Sequence, residues 1–562
     1  MNEKNPAEYG RWGRYEATLN EWLEKIAKQS VIQRLWDKDA TLWKKDAAEH
    51  KEIKNRLGWL TVVPAMRKAS AGFTAFADEV KAEGFTSVVL LGMGGSSLAP
   101  EVIQAICGNV VGYPSLVVLD STDAGRVKDV EKNIDLEKTL FIVSSKSGGT
   151  IELLSFFKYF YGKLKAVKAD KAGDHFVAIT DPGTPLTDIA KAHNFRKVFL
   201  APEDVGGRFS ALTPFGLVPA ALIGVDLYKL LDGAEAMVAR CQPGTAPAEN
   251  PAALLGVAMA VLAEEGRDKL TLLSDGKYES LGDWVEQLVA ESTGKEGTGV
   301  VPVVREPIAA AEAYAEDRFF VVTEAAGGDG VPAAKLKAIE KAGHPMLRIF
   351  VQSPEDIGGE FFRWEMATAV ACALLKVNTF DQPDVQAAKD RTKAILKGVS
   401  NGGSIPVKKS EISLESFFEN AESGDYAAIL AFLPDRPGVR KRLVAAQTAV
   451  RNRLRLATTL GFGPRYLHST GQLHKGGPGT AMFLLITAEP AEDLPVPGEN
   501  YTFAQLELAQ AMGDFEALES RGRWLFHYRL EGPVEKALDG FVAELNAAME
   551  SQSVSGQEVK NT

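Results

Sequence analysis

A strand, a loop rich in hydroxyls and glycines, and the start of a helix follow one another early in this chain. The apolar run at 140–143 predicts a buried strand. In the following SSKSGGTIE, at 144–152, the hydroxyls of Ser145, Ser147 and Thr150 can donate hydrogen bonds to a phosphate oxygen. Such a turn aims backbone N–H groups at an anion, although Ser, Gly and Thr are also common in ordinary turns. The loop therefore predicts a phosphate site, with an ordinary turn as the alternative.

The composition of the 562-residue chain argues against several kinds of partner. A formal net charge of −11 disfavours nucleic acid, although it does not forbid a local basic pocket. Three scattered cysteines, with no Cys or His spacing typical of a metal site, predict no bound metal and a reducing, cytoplasmic location. The polar N-terminal residues lack the apolar core of a signal peptide. No apolar run approaches the ~18 residues of a membrane span, so no membrane partner is expected.

Predicted strands alternate with predicted helices along most of the chain. This alternation is typical of an α/β fold with doubly wound parallel sheets, whose ligands lie at the carboxyl ends of the strands. We predict a helical lead-in at 1–80, α/β domains at 81–240 and 241–404, a smaller α/β domain at 405–550 and a disordered tail at 551–562. Strands are predicted at 87–91, 116–120, 140–143, 176–180, 269–273, 301–304, 318–323, 347–351, 427–432, 481–486 and 524–528, and the first helix of the C-terminal domain at 437–458.

A second glycine-rich loop, GMGGSS at 92–97, follows the first of these strands. It resembles a dinucleotide-binding fingerprint, but Ser97 stands where the third glycine belongs, and Asp120 lies late for a ribose-binding residue. We therefore expect no nicotinamide site. A tight loop that closes over a small sugar or phosphate is the better interpretation. The alternative is a glycine-rich turn with Ser97 as the N-cap of a helix.

Two further blocks place a charged residue beside glycines. In GGRFS, at 206–210, the glycines allow a tight turn that can send Arg208 into a pocket, where it suits an anion or a developing oxyanion. A predicted apolar helix then ends in ESTGK, at 291–295. Burial and the helix dipole would raise the pKa of Glu291 toward the range of a general base, whereas nearby positive charges would lower it. The alternatives are a solvated surface arginine and a solvated loop.

The sequence around Phe380 carries a more specific signal. Phe380-Asp381-Gln382, with Val385 and Lys389 at fixed spacing, resembles a signature of the phosphoglucose isomerase family. GGRFS is similar to another of its signatures, and GMGGSS, SKSGGTIE and ESTGK fit the family's other blocks in the family's order. The resemblance covers roughly 85–395, and ordered blocks are far more specific together than any one alone.

This resemblance implies a fold, an activity and site residues. It implies two α/β/α sandwich domains of the sugar-isomerase (SIS) type, usually in a homodimer. It implies interconversion of glucose 6-phosphate and fructose 6-phosphate, in glycolysis and gluconeogenesis, without metal or cofactor. Glu291 would move a proton between C2 and C1, Arg208 would stabilise the cis-enediolate, and Lys389 would assist ring opening. The phosphate would bind Ser145, Lys146 (through its backbone N–H), Ser147 and Thr150, and the sugar would bind Gly95, Ser96, Glu152, Gly207 and Gln382.

The family's ring-opening histidine is displaced in this sequence. The family places it between the Glu block and the FDQ block, where this chain has His344 without the expected neighbours. A more similar block, YLHSTGQ at 466–472, comes after the lysine block and contains His468. That order is similar to the isomerase part of transaldolase–isomerase fusion proteins, although no transaldolase barrel fits ahead of the first α/β domain. We therefore favour His468 over His344, and expect His474 and His527 to be structural or solvated.

Three functional hypotheses remain open. The first is the aldose–ketose isomerase, and the second keeps the fold but adds mannose 6-phosphate as a substrate. The third is a non-catalytic sugar-phosphate sensor, because SIS domains also serve as binding modules. The presence of Glu291, Arg208, Lys389 and a histidine candidate counts against a sensor. The C-terminal domain either only packs on the dimer or lends His468 to the site.

Overall fold

The computed structural model describes residues 8–327, 330–400 and 403–550, and it contains three β-sheets covered by helices. Parallel strands joined by helices form the main part of each sheet, so the predicted α/β fold with parallel sheets is confirmed. The predicted tail at 551–562 lies outside the described residues. The division into domains at residues 80, 240 and 404 stays a prediction. Within the described ranges, no helix is long and apolar enough to cross a bilayer.

The N-terminal segment contains a strand that the sequence analysis did not predict. Residues Glu8–Arg11 form β1, which pairs antiparallel with residues 346–349, placing Tyr9 opposite Arg348. The sequence of β1, EYGR, has no run of apolar residues, so its strand conformation depends on the sheet edge that it covers. The other elements of this segment are helices: α1 (Glu16–Lys28), α2 (Val31–Trp36), α3 (Ala47–Lys54) and α4 (Val62–Ala82).

The first sheet has five parallel strands. They are β2 (Ser87–Gly92), β3 (Ser115–Leu119), β4 (Thr139–Ser144), β5 (Phe176–Thr180) and β6 (Lys197–Leu200), in the spatial order β3-β2-β4-β5-β6. Strand β6 was not predicted, because it is short, lies at an edge and exposes most of its residues. The connecting helices are α5 (Leu98–Cys107), α6 (Ala124–Asn133), α7 (Ile151–Lys168), α8 (Pro185–Ala192), α9 (Pro214–Leu222) and α10 (Leu227–Arg240).

The strand order opens a crevice in the first sheet. The chain leaves β2 for β3 on one side and then crosses to β4 on the other side, so the loops after β2 and β4 diverge. Ligands of doubly wound sheets bind beyond the carboxyl ends of the strands at such a point. The two glycine-rich loops of the sequence, at 92–97 and 144–152, are the loops that leave these strand ends.

The second sheet repeats this strand order. Its strands are β7 (Lys269–Ser274), β8 (Val301–Val303), β9 (Arg318–Ala325) and β10 (Met346–Val351), in the order β10-β9-β7-β8, with β1 on the outer edge of β10. Its helices are α11 (Pro251–Glu264), α12 (Glu279–Thr293), α13 (Ala333–Lys341), α14 (Ile357–Leu375) and α15 (Gln386–Ser400). Helix α12 buries Trp284 and Leu288 in the same apolar cluster as Val88 and Leu90 of β2, so this helix also packs with the first sheet.

The third sheet has four parallel strands. They are β11 (Tyr426–Phe432), β12 (Ala457–Phe462), β13 (Ala481–Ala488) and β14 (Trp524–Leu530), in the order β12-β11-β13-β14. Its helices are α16 (Leu414–Glu419), α17 (Pro437–Leu454), α18 (Gly471–Gly476), α19 (Phe503–Glu519) and α20 (Val534–Glu550).

Strand β12 corrects the predicted helix at 437–458. Helix α17 ends at Leu454, and Arg455 has a φ of 58°, the left-handed conformation that ends helices. The mostly buried residues Ala457–Phe462 then pair with β11. Because of this additional strand, the block that contains His468 follows a strand and not a helix, and it starts at a carboxyl end.

The third sheet packs against the second through one apolar cluster. This cluster joins Ala290 of α12 and Val301 of β8 to Tyr426 of β11, Leu473 of α18 and Ala511 of α19. All five side chains are at most 1% exposed. The end of α12 that carries Glu291 is therefore held by the C-terminal residues of the chain.

Candidate active site

Three of the sequence blocks meet beyond the crevice of the first sheet. A Cβ atom on Gly95 would lie 2.2 Å from the carbonyl oxygen of Gly207, so only glycine fits there. A Cβ atom on Gly94 would lie 2.6 Å from the carbonyl oxygen of His468. The loop after β2 therefore touches both the arginine block and the histidine block. On its other side, the hydroxyl of Ser144 donates to the carbonyl oxygen of Ser96 at 3.0 Å.

The loop at 144–152 forms a cradle at the start of α7. Thr150 precedes the helix, and its side chain makes no capping hydrogen bond, so the first N–H groups of α7 lack that partner. The hydroxyl of Thr150 lies 3.2 Å from that of Ser145, which accepts a hydrogen bond from the N–H of Gly148 at 3.1 Å. Ser147 is exposed. The cradle thus groups hydroxyls and N–H groups at the N-terminus of a helix, a chemistry that suits an anion.

The side chain of Lys146 is paired with Asp181, just after β5. Burial lowers the pKa of Lys146, and its hydrogen bond to Asp181 opposes that shift. The ammonium is therefore engaged with a carboxylate, and binding of a phosphate through the backbone N–H of Lys146 stays a prediction.

Glu291 lies in the last turn of α12 and is 5% exposed. Its Oε2 atom accepts a hydrogen bond from Nη1 of Arg208 at 3.1 Å. Burial raises the pKa of Glu291, and the charge of Arg208 and that of His468 only partly offset this effect. The sequence left the balance between burial and positive neighbours open, and the structure places the pKa above its ordinary value. A carboxylate with a raised pKa is suited to accept and return a proton near neutral pH.

Arg208 is 2% exposed and binds several loops at once. Its Nε donates to the hydroxyl of Ser292 at 2.8 Å, next to Glu291 in the chain. Its Nη2 donates to the carbonyl oxygens of Thr379 and Asp381, the latter at 3.3 Å. The guanidinium therefore links the Glu291 block to the FDQ block, and the alternative of a solvated surface arginine is wrong.

Lys295 belongs to the ESTGK block, but no local pattern singled it out as a site residue. It is 1% exposed, and its Nζ lies 2.6 Å from Oδ1 and 2.8 Å from the carbonyl oxygen of Asp381. It also donates to the carbonyl oxygen of Asn378. Burial and the charge of Arg208 lower the pKa of Lys295 to about 8. Lys295 thus holds the FDQ loop on the site.

His468 reaches the first sheet from the third. Its Nε2 lies 2.8 Å from Oε1 of Glu152, and its carbonyl oxygen accepts a hydrogen bond from Nε2 of Gln287 at 2.7 Å. Glu152 is 3% exposed. Burial raises the pKa of Glu152, but the charge and the hydrogen bond of His468 outweigh burial, so the pKa lies below its ordinary value. The sequence analysis did not foresee this contact, and the expected place of Glu152 on the sugar stays a prediction.

The His468 block is also held by contacts that sequence reasoning did not find. Gln510 of α19 donates from Nε2 to Oε1 of Glu152 at 2.7 Å. Arg465, three residues before His468, forms ion pairs with Glu101 of α5 and, at 3.0 Å, with Asp120. These contacts span hundreds of residues, and no local pattern marks either side chain in the sequence.

The alternative histidine, His344, lies elsewhere. It precedes β10, at the amino end of a parallel strand, whereas the site lies at carboxyl ends. Its ring packs against Phe320 and Tyr314, and burial and the charge of Arg267 lower its pKa to about 4. His474 and His527 are also buried, and His527 is hydrogen-bonded to Thr487 at 2.8 Å.

Gln382 and Lys389 are exposed at the edge of the site. Gln382 follows Asp381, which Lys295 holds, and Lys389 lies in the first turns of α15. The charge of Lys389 contributes to the lowered pKa of Glu152, so the ammonium lies within electrostatic reach of the His468–Glu152 pair. The structure therefore brings the predicted catalytic residues to one side of the first sheet.

In the part of the chain that the structure describes, no group of three or more His, Cys, Asp or Glu side chains is arranged to hold a metal.

A cavity of about 480 Å³ lies at the carboxyl ends of the strands of the second sheet. Its two arginines are already paired, Arg305 with Asp283 and Arg440 with Asp435. Among the described residues, this cavity has no hydroxyl-rich loop like that of the cradle at 144–152, so it is a poorer candidate for a phosphate site.

The arrangement is suited to moving a proton next to a carbonyl group. A carbon-bound proton α to a carbonyl is weakly acidic, so its removal needs a base with a raised pKa and a fixed positive charge for the oxyanion. Glu291 and Arg208 supply these groups 3.1 Å apart in a buried site. His468 contacts Glu152 in the first turn of α7, the helix that the phosphate cradle precedes.

Comparison with known proteins points in the same direction. A family model described as phosphoglucose isomerase matches residues 60–309. The chain is 30% identical over 403 residues to a glucose-6-phosphate isomerase of Carboxydothermus hydrogenoformans, covering 62% of this chain and 86% of that protein. It is also 30% identical over 387 residues to one of Rubrobacter xylanophilus, covering 59% of this chain and 87% of the relative.

Two solved structures share the fold at lower identity. One is a hypothetical protein of Thermus thermophilus, with a TM-score of 0.59 and 24% identity, covering 69% of this chain and 99% of that one. The other is a glucose-6-phosphate isomerase of Chlamydia trachomatis, with a TM-score of 0.51 and 20% identity, covering 68% of this chain and 85% of that one.

Proposed function

The chain belongs to the phosphoglucose isomerase family, and we propose that it interconverts glucose 6-phosphate and fructose 6-phosphate with Glu291 as the proton-transferring base. The activity is that of a glucose-6-phosphate isomerase, an aldose–ketose isomerase of glycolysis. The observation that carries the assignment of the base is the buried contact of 3.1 Å between Glu291 and Arg208. A lone buried carboxylate would also have a raised pKa, but the guanidinium beside it provides a charge for the enediolate.

Substrate binding begins at the cradle. The phosphate accepts hydrogen bonds from Ser145, Ser147 and Thr150, from the backbone N–H of Lys146 and from the first turn of α7. Gly95, Ser96, Glu152, Gly207 and Gln382 line the sugar. The tight approach of Gly95 to the carbonyl oxygen of Gly207 supports this placement, because it brings the two loops of the proposed sugar site together.

Ring opening requires one proton to leave the anomeric hydroxyl and another to reach the ring oxygen. His468 performs this exchange with the assistance of Lys389. The pairing of His468 with Glu152 supports the assignment, because a carboxylate that accepts from one ring nitrogen orients the imidazole for proton transfer at the other. His344 has no part in the reaction.

Isomerisation follows in the open-chain sugar. Glu291 removes the proton from C2 of glucose 6-phosphate, and the electron pair moves toward O1 to give a cis-enediolate beside Arg208. The proton on O2 passes to O1, and the protonated Glu291 returns its proton to C1, which forms fructose 6-phosphate. The reverse reaction uses the same groups in the opposite order.

Further features follow from the family. We propose a cytoplasmic homodimer that needs no metal or cofactor. The position of His468, after Lys389 in the chain, supports a relationship to the isomerase part of transaldolase–isomerase fusion proteins. The C-terminal domain serves to bring His468 into the site.

A coupled assay tests the function directly. Purified chain with EDTA is given fructose 6-phosphate, and the glucose 6-phosphate formed is oxidised by a dehydrogenase that reports through NADPH absorbance. We expect sustained turnover. Binding of fructose 6-phosphate without turnover would overturn the proposal and assign the chain as a sugar-phosphate sensor.

A further inference from the structure

Gln510 lies on α19 of the third sheet, yet it contacts a residue of the first. Its side chain is 3% exposed, and its Nε2 donates to Oε1 of Glu152 at 2.7 Å. The same oxygen is 2.8 Å from Nε2 of His468. One carboxylate oxygen therefore accepts from both the glutamine and the proposed ring-opening histidine.

The orientation of the Gln510 amide is set from its other end. The hydroxyl of Thr122, which is 0% exposed, donates to Oε1 of Gln510 at 2.9 Å. A flipped amide would place its oxygen against the ionised Glu152, two acceptors in contact without a proton between them. The contacts thus form a chain of donors that runs from Thr122 through Gln510 to Glu152.

This chain determines which nitrogen of His468 is available to the sugar. Because Glu152 is ionised and can only accept, Nε2 of His468 carries the hydrogen in their contact. Nδ1 is then the nitrogen that can exchange a proton with a sugar oxygen. A second donor on Oε1 restricts the carboxylate, and with it the angle of the imidazole ring.

We propose that Gln510, oriented by Thr122, is a positioning residue for ring opening, because it fixes the Glu152 carboxylate against which His468 is aligned. The inference rests on the proposed function and extends it to the third sheet, which supplies both the imidazole and part of the support for its partner. Gln510 acts through Glu152 and touches no reacting atom of the substrate.

The test compares two buried glutamines of the C-terminal residues. Gln510→Leu removes the donor to Glu152, and Gln447→Leu is the matched control. Gln447 is 1% exposed and donates to the carbonyl oxygen of Thr458 at 3.0 Å, a contact that involves neither Glu152 nor His468. We expect Gln510→Leu to lower kcat for fructose 6-phosphate about 10-fold or more with KM within about twofold, because misalignment of a reacting group costs rate rather than binding. The control should lower neither value.

Thr122→Val gives a second, milder perturbation that keeps the volume of the side chain. It should lower kcat in the same direction, and the double variant Thr122→Val/Gln510→Leu should be no slower than Gln510→Leu, because both act through one contact. If Gln510→Leu does not fold, this variant carries the test. Independent, additive losses would contradict the chain of donors.

A spectroscopic measurement separates this inference from the proposed function. Nitrogen-15 spectra of the histidine rings should place the hydrogen of neutral His468 on Nε2 in the wild type and show a mixed population in Gln510→Leu. An unchanged His468 tautomer together with an unchanged kcat would overturn the role of Gln510, whatever the substrate. An inactive wild type whose His468 spectrum still responds to Gln510→Leu would instead refute the proposed function and keep the positioning role.

Discussion

Nε2 of His468 lies 2.8 Å from Oε1 of Glu152, although 316 residues separate them in the sequence. The contact joins the third sheet to the first, at the carboxyl edge where the phosphate cradle lies. Glu291 comes from helix α12 of the second sheet and pairs with Arg208. Each of the three sheets therefore contributes a side chain to the proposed reaction.

Replacing His468 should slow ring opening and leave binding in place. His468→Asn removes the titratable ring, and we expect kcat on cyclic fructose 6-phosphate to fall about 100-fold, the lower range for a general acid–base group. The coupled assay measures this. His344→Asn is the matched control, since His344 is buried among Phe320 and Tyr314. A large loss in His344→Asn with normal rates in His468→Asn would reverse the assignment.

Replacing Arg208 should reduce stabilisation of the enediolate. In Arg208→Lys a single ammonium replaces the planar guanidinium, which loses the simultaneous contacts to Glu291 and Ser292. We expect kcat/KM to fall about 10²- to 10³-fold, as for the loss of an oxyanion donor. Ser292→Ala, which removes only the partner of Nε, should cost much less. Equal losses in both variants would mean that Arg208 acts mainly by holding the loops together.

The hydroxyls of the cradle should affect KM rather than kcat. Ser145→Ala and Thr150→Ala each remove one donor to a phosphate that is held equally in the ground state and the transition state. We expect KM for fructose 6-phosphate to rise about 10-fold in the double variant, with kcat within about threefold of wild type. Steady-state kinetics decide this. A fall in kcat at constant KM would show that the cradle does not bind the phosphate.

Much of the fold and some of the site could be predicted from the sequence, for identifiable reasons. Buried strands such as Thr139–Ser144 are continuous apolar runs, and the loop chemistry of 144–152 is local, so both are visible in the residues alone. Strands at sheet edges, such as Glu8–Arg11 and Lys197–Leu200, are short and polar or exposed, and their pairing partners are remote. Local patterns do not encode such pairing.

The same distinction applies to the site residues. Glu291 and Arg208 lie in short blocks whose glycines and charged residues can be recognised in the sequence. Gln510 and Lys295, in contrast, act through contacts that only the folded chain creates. The direction of the pKa of Glu291 also needed the structure, because burial and a positive neighbour oppose each other there. Burial depends on packing from all three sheets, which the sequence does not specify residue by residue.

Lys295 should make the stability of the fold depend on pH in an alkaline window. The pKa of Lys295 is about 8 in the folded chain, whereas the ordinary value, which applies to the unfolded chain, is 10.5. Between these two pH values the unfolded chain therefore binds more protons than the folded chain. The free energy of unfolding contributed by Lys295 therefore rises with pH across this window, by roughly 1 kcal/mol per pH unit. Lys295→Met should lack this contribution.

Urea unfolding of both proteins at pH 7 to 10 checks the Lys295 prediction. The difference in unfolding free energy between wild type and Lys295→Met should shift in favour of the wild type as the pH rises above about 8. A constant difference over the whole range would mean that the pKa of Lys295 is not lowered.

The most direct test of the account is hydrogen exchange catalysed by Glu291→Gln. In D₂O, the wild type should introduce deuterium at C1 of fructose 6-phosphate, because the proton on Glu291 exchanges with solvent between its removal and its return. Glu291→Gln should introduce none while still binding the sugar phosphate, and the control Glu286→Gln, on the same helix α12, should retain exchange. Exchange by Glu291→Gln at the wild-type rate would contradict the account, because another group would then be the base.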